Sequence, residues 1–208
     1  MMRPMETAAA PRRDARARLL DATLAVVRGK GFAATSVDEL CRAAGVTKGA
    51  FFHHFRSKED LAVAAAGHFC AMADGLYDAP WTGLPTAAER VLGYVQLRRD
   101  IIGGAFEEFT CLLGTMVQET YATSDPIRAA CEAGILGHAY RLLPDLTAAL
   151  AATGRDDVTP ETVALHIQAV LQGGFILAKA TGDPATARAT VDHLIRYLTF
   201  LLAPAGRP

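Results

Sequence analysis

The run Thr47-Lys48-Gly49-Ala50-Phe51-Phe52-His53-His54 gathers a capping hydroxyl, two small residues, a lysine and two imidazoles on what the spacing predicts to be a two-turn helix. Its chemistry suits a polyanion with readable edges. The free amides of a helix N-terminus, with the Thr47 hydroxyl beside them, can hold a phosphate oxygen. Gly49 and Ala50 are small enough for the backbone to approach a base, while Lys48 and His53 can donate to base-edge acceptors. Phe51 and Phe55, four residues apart, anchor the inner side, which leaves Phe52 and His54 to face outward or sideways. Thr35 and Lys58 flank the segment at positions expected to reach phosphates.

The helices that must position these residues are also readable. Ser36-Val37-Asp38-Glu39 is a capping-box pattern opening a short helix, Gly45 permits the tight turn after it, and Thr47 caps the next. Two short helices joined this way make a helix-turn-helix. A helix over 12–30 precedes them and a long one over 57–77 follows. Pro80, Trp81, Gly83 and Pro85 then break the chain. Further helices are expected at 86–103, 106–122, 125–153, 159–181 and 184–203. Asp125-Pro126, Thr159-Pro160 and Asp183-Pro184 each set a capping side chain before a proline at the first helical position. No alternating strand pattern is present, so the fold class is all-α, of about nine helices. The expected organisation is a disordered arm at 1–11, a three-helix DNA-binding domain at 12–56, a larger helical domain at 57–203 and a tail at 204–208.

Composition narrows the function classes. Of the 208 residues 51% are apolar and 21% charged, with a formal net charge of -1, so overall basicity does not advertise nucleic acid. The distribution does: residues 1–60 carry eleven Lys and Arg against seven Asp and Glu, and the remainder ten against fifteen. A basic head on an acidic body fits a polyanion-binding module attached to a domain with another task. Cys41, Cys70, Cys111 and Cys131 are scattered without C-x-x-C spacing, so neither a zinc site nor a redox dithiol is indicated. No metal and no cofactor is expected. Neither a signal peptide nor a membrane span is read, and the expected location is the cytoplasm, with reduced thiols. The chain contains no P-loop, dinucleotide fingerprint, H-E-x-x-H or nucleophile elbow. A Cys-dependent enzyme, pairing Cys111 with one of the six histidines, has no supporting spacing.

The stretch from Ala15 to Leu61 closely resembles the DNA-binding domain of the TetR/AcrR family of transcription regulators. The resemblance rests on Gly31-Phe32-x-x-Thr35-Ser36-Val37 and on Gly45-Val46-Thr47-Lys48-Gly49-Ala50-Phe51-Phe52-His53-His54-Phe55-x-Ser57-Lys58-Glu59-x-Leu61. The chain departs from the family at Phe52, where tyrosine is usual, and at His54, where an aromatic is common. Loss of the phenol removes one phosphate hydrogen bond. The resemblance implies a repressor that binds a palindromic operator in double-stranded DNA as a homodimer and leaves it when a small effector binds the second domain. An activator of the same fold is the alternative, because the sign of regulation depends on where the operator lies. An architectural DNA-binding dimer is a poorer fit, because the second domain is acidic.

An effector pocket is then expected among the helices between Phe69 and Phe175. Its candidate lining is Phe69, Trp81, Phe106, Met116, Tyr121, His138, Gln168 and Phe175, a set that suits an apolar or aromatic ligand and offers few charges to an anionic one. The run from Phe109 to Glu119, followed by Asp125-Pro126-Ile127-Arg128, resembles a branch of the family that includes electrophile- and oxidant-sensing repressors, with a cysteine at the position of Cys111. That implies a thiol sensor, for which Lys179 could supply a positive charge. The plainer reading of Cys111 is a small hydrophobe. Dimerisation is expected through helices 159–181 and 184–203, along Val163, Ile167, Val170 and Leu171 on one and Val191, Leu194, Ile195, Leu198, Leu201 and Leu202 on the other. The same stripes would equally close the chain's own core.

Overall fold

The computed structural model describes residues 14–203, and the expected arm at 1–11 and tail at 204–208 lie outside them. Within that range the chain forms eleven α-helices. The first four are α1 (Ala15–Lys30), α2 (Val37–Ala44), α3 (Lys48–His54) and α4 (Lys58–Asp74). Two 3-10 turns, Gly75–Asp78 and Pro80–Gly83, carry the chain through the proline-rich break. Then come α5 (Ala87–Asp100), α6 (Phe106–Phe109), α7 (Leu112–Thr120), α8 (Asp125–Tyr140), α9 (Leu143–Thr153), α10 (Pro160–Thr181) and α11 (Pro184–Leu201).

The difference from nine helices comes from two breaks. The helix expected over 106–122 divides because Thr110 and Cys111 adopt extended backbone. The Thr110 hydroxyl donates to the Phe106 carbonyl at 2.6 Å, and Cys111 becomes the N-cap of α7, its Sγ accepting from the Gly114 amide at 3.4 Å. The helix expected over 125–153 ends at Tyr140 because Pro144 has no amide to give and its ring collides with the carbonyl four residues earlier. One cap also differs. Ser124, not Asp125, caps α8, accepting from the Ile127 amide at 3.3 Å. Thr159 and Asp183 cap α10 and α11 as expected.

Two apolar clusters organise the chain. In the first, Leu19, Leu24 and Val27 of α1 meet Leu40, Phe51, Phe55 and the small face Ala62, Ala65 and Ala66 of α4. Leu112, Met116, Ile127 and Cys131 of α7 and α8 complete it, so the N-terminal helices are sealed by residues from the C-terminal half. The second cluster joins Trp81, Tyr94, Leu146, Ile167, Leu171, Val191, Leu194 and Leu198. α10 is long and apolar enough to cross a membrane by length and composition, but 44% of that window is buried against its neighbours. Gly174 lets α10 lie close to the backbone of Ala187 on α11.

Met116 has no solvent exposure and comes from α7, yet it fills the cluster beneath the recognition segment. Met116→Ala is therefore expected to lower stability by roughly 2–5 kcal/mol and to shift the whole urea transition. An early, separate unfolding of the C-terminal helices with the N-terminal ones unmoved would contradict a shared core.

Candidate functional site

The helix-turn-helix is built from local chemistry. Ser36 Oγ accepts the Glu39 amide at 3.2 Å, and Thr47 Oγ1 accepts the Ala50 amide at 3.1 Å. Glu39 does not complete a capping box; it turns to Lys30 at 2.5 Å. Gly45 sits at φ 61°, a left-handed conformation that glycine adopts without the Cβ penalty, and its carbonyl accepts from Arg18 Nη1 at 3.1 Å. Phe51 and Phe55 are buried, which rotates Thr47, Lys48, Gly49, Phe52 and His53 to solvent with Ala50 and His54 at the margin. Nothing within 3.8 Å would meet a side chain at Gly49, so the outer surface of α3 is open there. Lys48 pairs with Asp38 of α2 at 2.9 Å, which raises its pKa. Both side chains remain more than half exposed, so solvent screens the pair and it holds neither group tightly.

Thr35 and Lys58 are placed otherwise than as free phosphate ligands. Thr35 is 2% exposed, its hydroxyl donating to the Gly31 carbonyl at 2.6 Å. Lys58 Nζ donates to the carbonyls of Phe32 (3.0 Å) and Thr35 (2.9 Å) and lies 4.2 Å from the Phe32 ring centroid, and burial lowers its pKa. Together they hold the α1–α2 turn.

Behind this head lies a cavity of about 690 Å³ between α1, α4, α5, α6, α7, α8 and α10. Of the expected lining residues, Phe69, Cys111, His138 and Gln168 face it. A smaller cavity of about 250 Å³ adjoins it, lined by Phe175 and Lys179 and sharing Thr110, Cys111 and Gln172 with the first. Four expected lining residues lie elsewhere. Trp81 is buried against Tyr77 and Tyr94 with its Nε1 donating to the Leu76 carbonyl (2.8 Å), and Phe106 packs on the main core. Met116 belongs to the head cluster, and Tyr121, just past α7, is 64% exposed. The sequence reading missed the cavity's arginines, Arg28, Arg98 and Arg141. Arg28 follows Leu24 by four positions on the buried stripe of α1, and that register was the available signal.

Two ties join cavity walls to the head. Glu119, near the end of α7, accepts the Ala33 amide at 2.6 Å, and its carboxylate packs where Gly31 (φ 96°) leaves no room for a side chain. Lys179 of α10 donates to the Arg28 carbonyl at 2.8 Å and contacts Thr115 Oγ1 at 3.4 Å. Lys179 grips the last turn of α1, and Glu119 the turn that follows it. The thiols differ in setting: burial pushes Cys131 up to about 12 and raises Cys41 and Cys70, while Cys111 is half-buried at the α7 N-terminus between the two cavities.

The stripes expected to form an interface on α10 and α11 are the chain's own core: Val163, Ile167, Leu171, Val191, Leu194, Leu198, Leu201 and Leu202 are all buried. The opposite faces carry exposed apolar residues instead, namely Leu165, Ile176 and Leu177 on α10 and Tyr197 and Phe200 on α11, the last 70% exposed.

Residues 19–65 match the family model for bacterial regulatory proteins of the tetR family, and residues 87–193 match that of the LmrA/YxaF-like transcriptional regulator C-terminal domain. The chain belongs to the TetR family of transcriptional regulators. Among relatives, it is 30% identical over 125 residues to the HTH-type transcriptional repressor NemR of Escherichia coli K12, covering 60% of this chain and 63% of the relative. It is 30% identical over 113 residues to the transcriptional regulator AcuR of Cereibacter sphaeroides, covering 54% and 52%. A third match, to the HTH-type regulator YerO of Bacillus subtilis, covers 19% of that relative, so each of these alignments spans less than two thirds of the curated protein. The fold of this TetR-family regulator is that of the reduced form of E. coli NemR (TM-score 0.74, 23% identity, 94% of this chain and 100% of that one). A TetR-family regulator from Cytophaga hutchinsonii superposes with TM-score 0.76 at 26% identity, covering 93% and 96%.

His138 tests the electrostatics of the cavity wall. Its Nε2 lies 2.8 Å from the Tyr94 hydroxyl and 3.3 Å from Arg98 Nη1, and burial, reinforced by Arg98, pulls its pKa from 6.5 down to about 4. The folded state therefore favours neutral imidazole, and the unfolded state binds the extra proton between these values. Its contribution to stability is complete above pH 6.5 and is lost as pH falls towards 4. Urea midpoints measured across this window are expected to fall less steeply for His138→Gln than for the wild type.

Proposed function

We propose that this regulator is a transcriptional repressor that binds a palindromic operator as a homodimer and is released when its cavity is occupied or Cys111 is modified. The observation that carries the reading is the pair of ties on the last turn of α1 and the turn that follows it. The helix that orients the recognition segment is held by Glu119 and Lys179, which stand on the helices lining the two cavities. A ligand that prefers one arrangement of α7 and α10 thereby biases the position of the head, and differential affinity for the two arrangements is the requirement for a switch. Two heads must enter successive major grooves about 34 Å apart, so a small rotation of each breaks the fit. Thr47, Lys48, Gly49, Ala50, Phe52 and His53 supply the DNA contacts in this reading. Thr35 and Lys58 act by holding the turn, and a cytoplasmic location, where such a regulator meets its DNA, belongs to this reading. The name of NemR as a repressor supports the sign of regulation proposed here.

Thiol release has its own support. Cys111 caps α7 where the two cavities meet, with Lys179 and Arg28 as charged neighbours, so a reagent that enters either cavity meets its sulfur. The dimer is proposed through the exposed faces of α10 and α11, which pair with their copies in a four-helix bundle across a two-fold axis.

Two experiments check this. Fluorescence anisotropy with the regulator's own upstream DNA should give salt-sensitive binding that N-ethylmaleimide abolishes in the wild type and leaves intact in Cys111→Ser. Retained release in Cys111→Ser would remove the thiol route, and no specific binding to that DNA or to a selected pool would remove the repressor. Sedimentation at micromolar concentration should give a dimer that Ile176→Glu and Phe200→Glu convert to monomer; an unchanged dimer in both would place the interface elsewhere.

A further inference from the structure

The aromatic and apolar residues of the sequence suggested an effector with little charge, but the folded cavity wall carries three guanidinium groups: Arg28 of α1, Arg98 of α5 and Arg141 just after α8. Arg141 is paired with Asp74 at 2.5 Å. The other two have no carboxylate within ion-pair distance among the described residues. Arg98 donates through Nη1 to the Tyr94 hydroxyl (3.2 Å) and approaches His138 Nε2 (3.3 Å), while its Nε is buried without a partner. Arg28 is the more exposed to this cost of burial. It is 7% solvent-accessible, its Nε is buried and unpartnered, and its guanidinium carbon lies 5.6 Å from the Phe69 ring centroid. Cys111, Glu107 and Glu108 attract it from beyond bonding distance, and the Glu108 carboxylate accepts the Ala105 amide instead.

A desolvated guanidinium without an anion is unfavourable, and proteins close such groups with acids where the role is structural. Even the partly exposed Arg90 and Arg99 of this chain have acid partners, Asp145 at 2.7 Å and Asp192 at 2.8 Å. The open guanidinium of Arg28 is instead set in a wall whose other atoms are largely apolar, from Phe69, Met72, Phe109, Leu113 and Ile135. That combination of a buried, unpaired cation and a largely apolar wall is complementary to an amphipathic anion.

We propose that the effector is an organic anion with an apolar or aromatic body, its carboxylate-type head group held by Arg28 and its body lying on Phe69, Met72 and Phe109. The inference rests on the cavity being the effector site of the proposed repressor, and it adds a route of coupling. Arg28 belongs to α1, whose last turn Lys179 already holds through the Arg28 carbonyl. A bound carboxylate thus takes hold of the DNA-binding head directly.

The test uses non-electrophilic acids, each with its neutral amide: decanoate and decanamide, 4-phenylbutyrate and 4-phenylbutyramide, indole-3-acetate and indole-3-acetamide. Binding to the full-length protein is measured by calorimetry and operator release by anisotropy. At least one acid is expected to bind and release DNA, with its amide weaker by roughly tenfold or more. Which pair responds separates aliphatic from aromatic bodies. Arg28→Met should reduce acid affinity to that of the amide while raising the thermal midpoint of the unliganded protein, because the uncompensated charge is gone. Arg28→Lys should retain part of the acid preference and, with the wild-type acid and amide comparison, decides the matter if the methionine variant does not fold. Amides binding as tightly as acids, no acid binding at all, or undiminished acid binding by Arg28→Met would each overturn the proposal. Operator binding released only by neutral compounds or electrophiles would overturn it and leave the repressor standing. Acid binding at Arg28 by a protein without operator affinity would uphold the anion site and remove the repressor.

Discussion

The C-terminal end of α1 is the constraint on which the rest of the structure depends. A helix leaves its last carbonyls without intrahelical donors, and here the donors and the turn that follows come from distant parts of the chain. Lys179 donates to the Arg28 carbonyl, and Glu119 accepts from the backbone just beyond Gly31. Lys58 and Thr35 close the same turn from the other side. Through these bonds the orientation of the recognition segment is set by α7 and α10, which also wall the two cavities. The apolar packing runs the same way, since Leu112, Met116 and Ile127 insert into the cluster under α1 and α4. The head is therefore not an independent unit hung on a linker. Its position is an equilibrium property of the helices that surround the ligand space.

This arrangement gives each polar group a place in one chain of influence. The outward face of α3 carries small and basic residues with an open helix start. The inward face carries Phe51, which fixes the roll of that helix against α1. The α1 stripe continues from Leu24 and Val27 to Arg28, so that a single helix touches the recognition helix at its start and the cavity at its end. Burial of unpaired charge at that end stores a cost that only an anion or a rearrangement relieves. Cys111, at the α7 N-terminus, stands where a modification would disturb the same junction.

Much of the DNA-binding segment was legible because capping and turn chemistry operate over three or four residues. Ser36 and Thr47 each accept the amide predicted by position, and Gly45 takes the left-handed turn. The breaks at Thr110–Cys111 and before Pro144 were not read; the second was available from proline stereochemistry, whereas the first depends on tertiary packing that extends the backbone at two unremarkable residues. At the start of α8 two good capping residues stand side by side, and local pattern does not choose between Ser124 and Asp125. Thr35 and Lys58 have the types of phosphate ligands, but the turn recruited them. The α10 and α11 stripes show the same limit: an apolar face reads alike whether it meets its own chain or a copy. Arg28, Arg98 and the cavity were hidden for a stronger reason, since the space exists only where seven helices from across the chain converge.

The most direct test of the central claim is reciprocity between operator and cavity. If the state of the cavity sets the position of the head, DNA that captures one position must alter access to the cavity. The rate at which N-ethylmaleimide modifies Cys111, resolved from Cys70 by mass spectrometry, should be measured with operator, with scrambled DNA and without DNA. The account predicts that operator alone slows the reaction severalfold, and that the effect disappears in a Glu119→Gln, Lys179→Gln variant that still binds operator. Equal rates in all three conditions for the wild type would show that head and cavity are uncoupled, and would contradict the account.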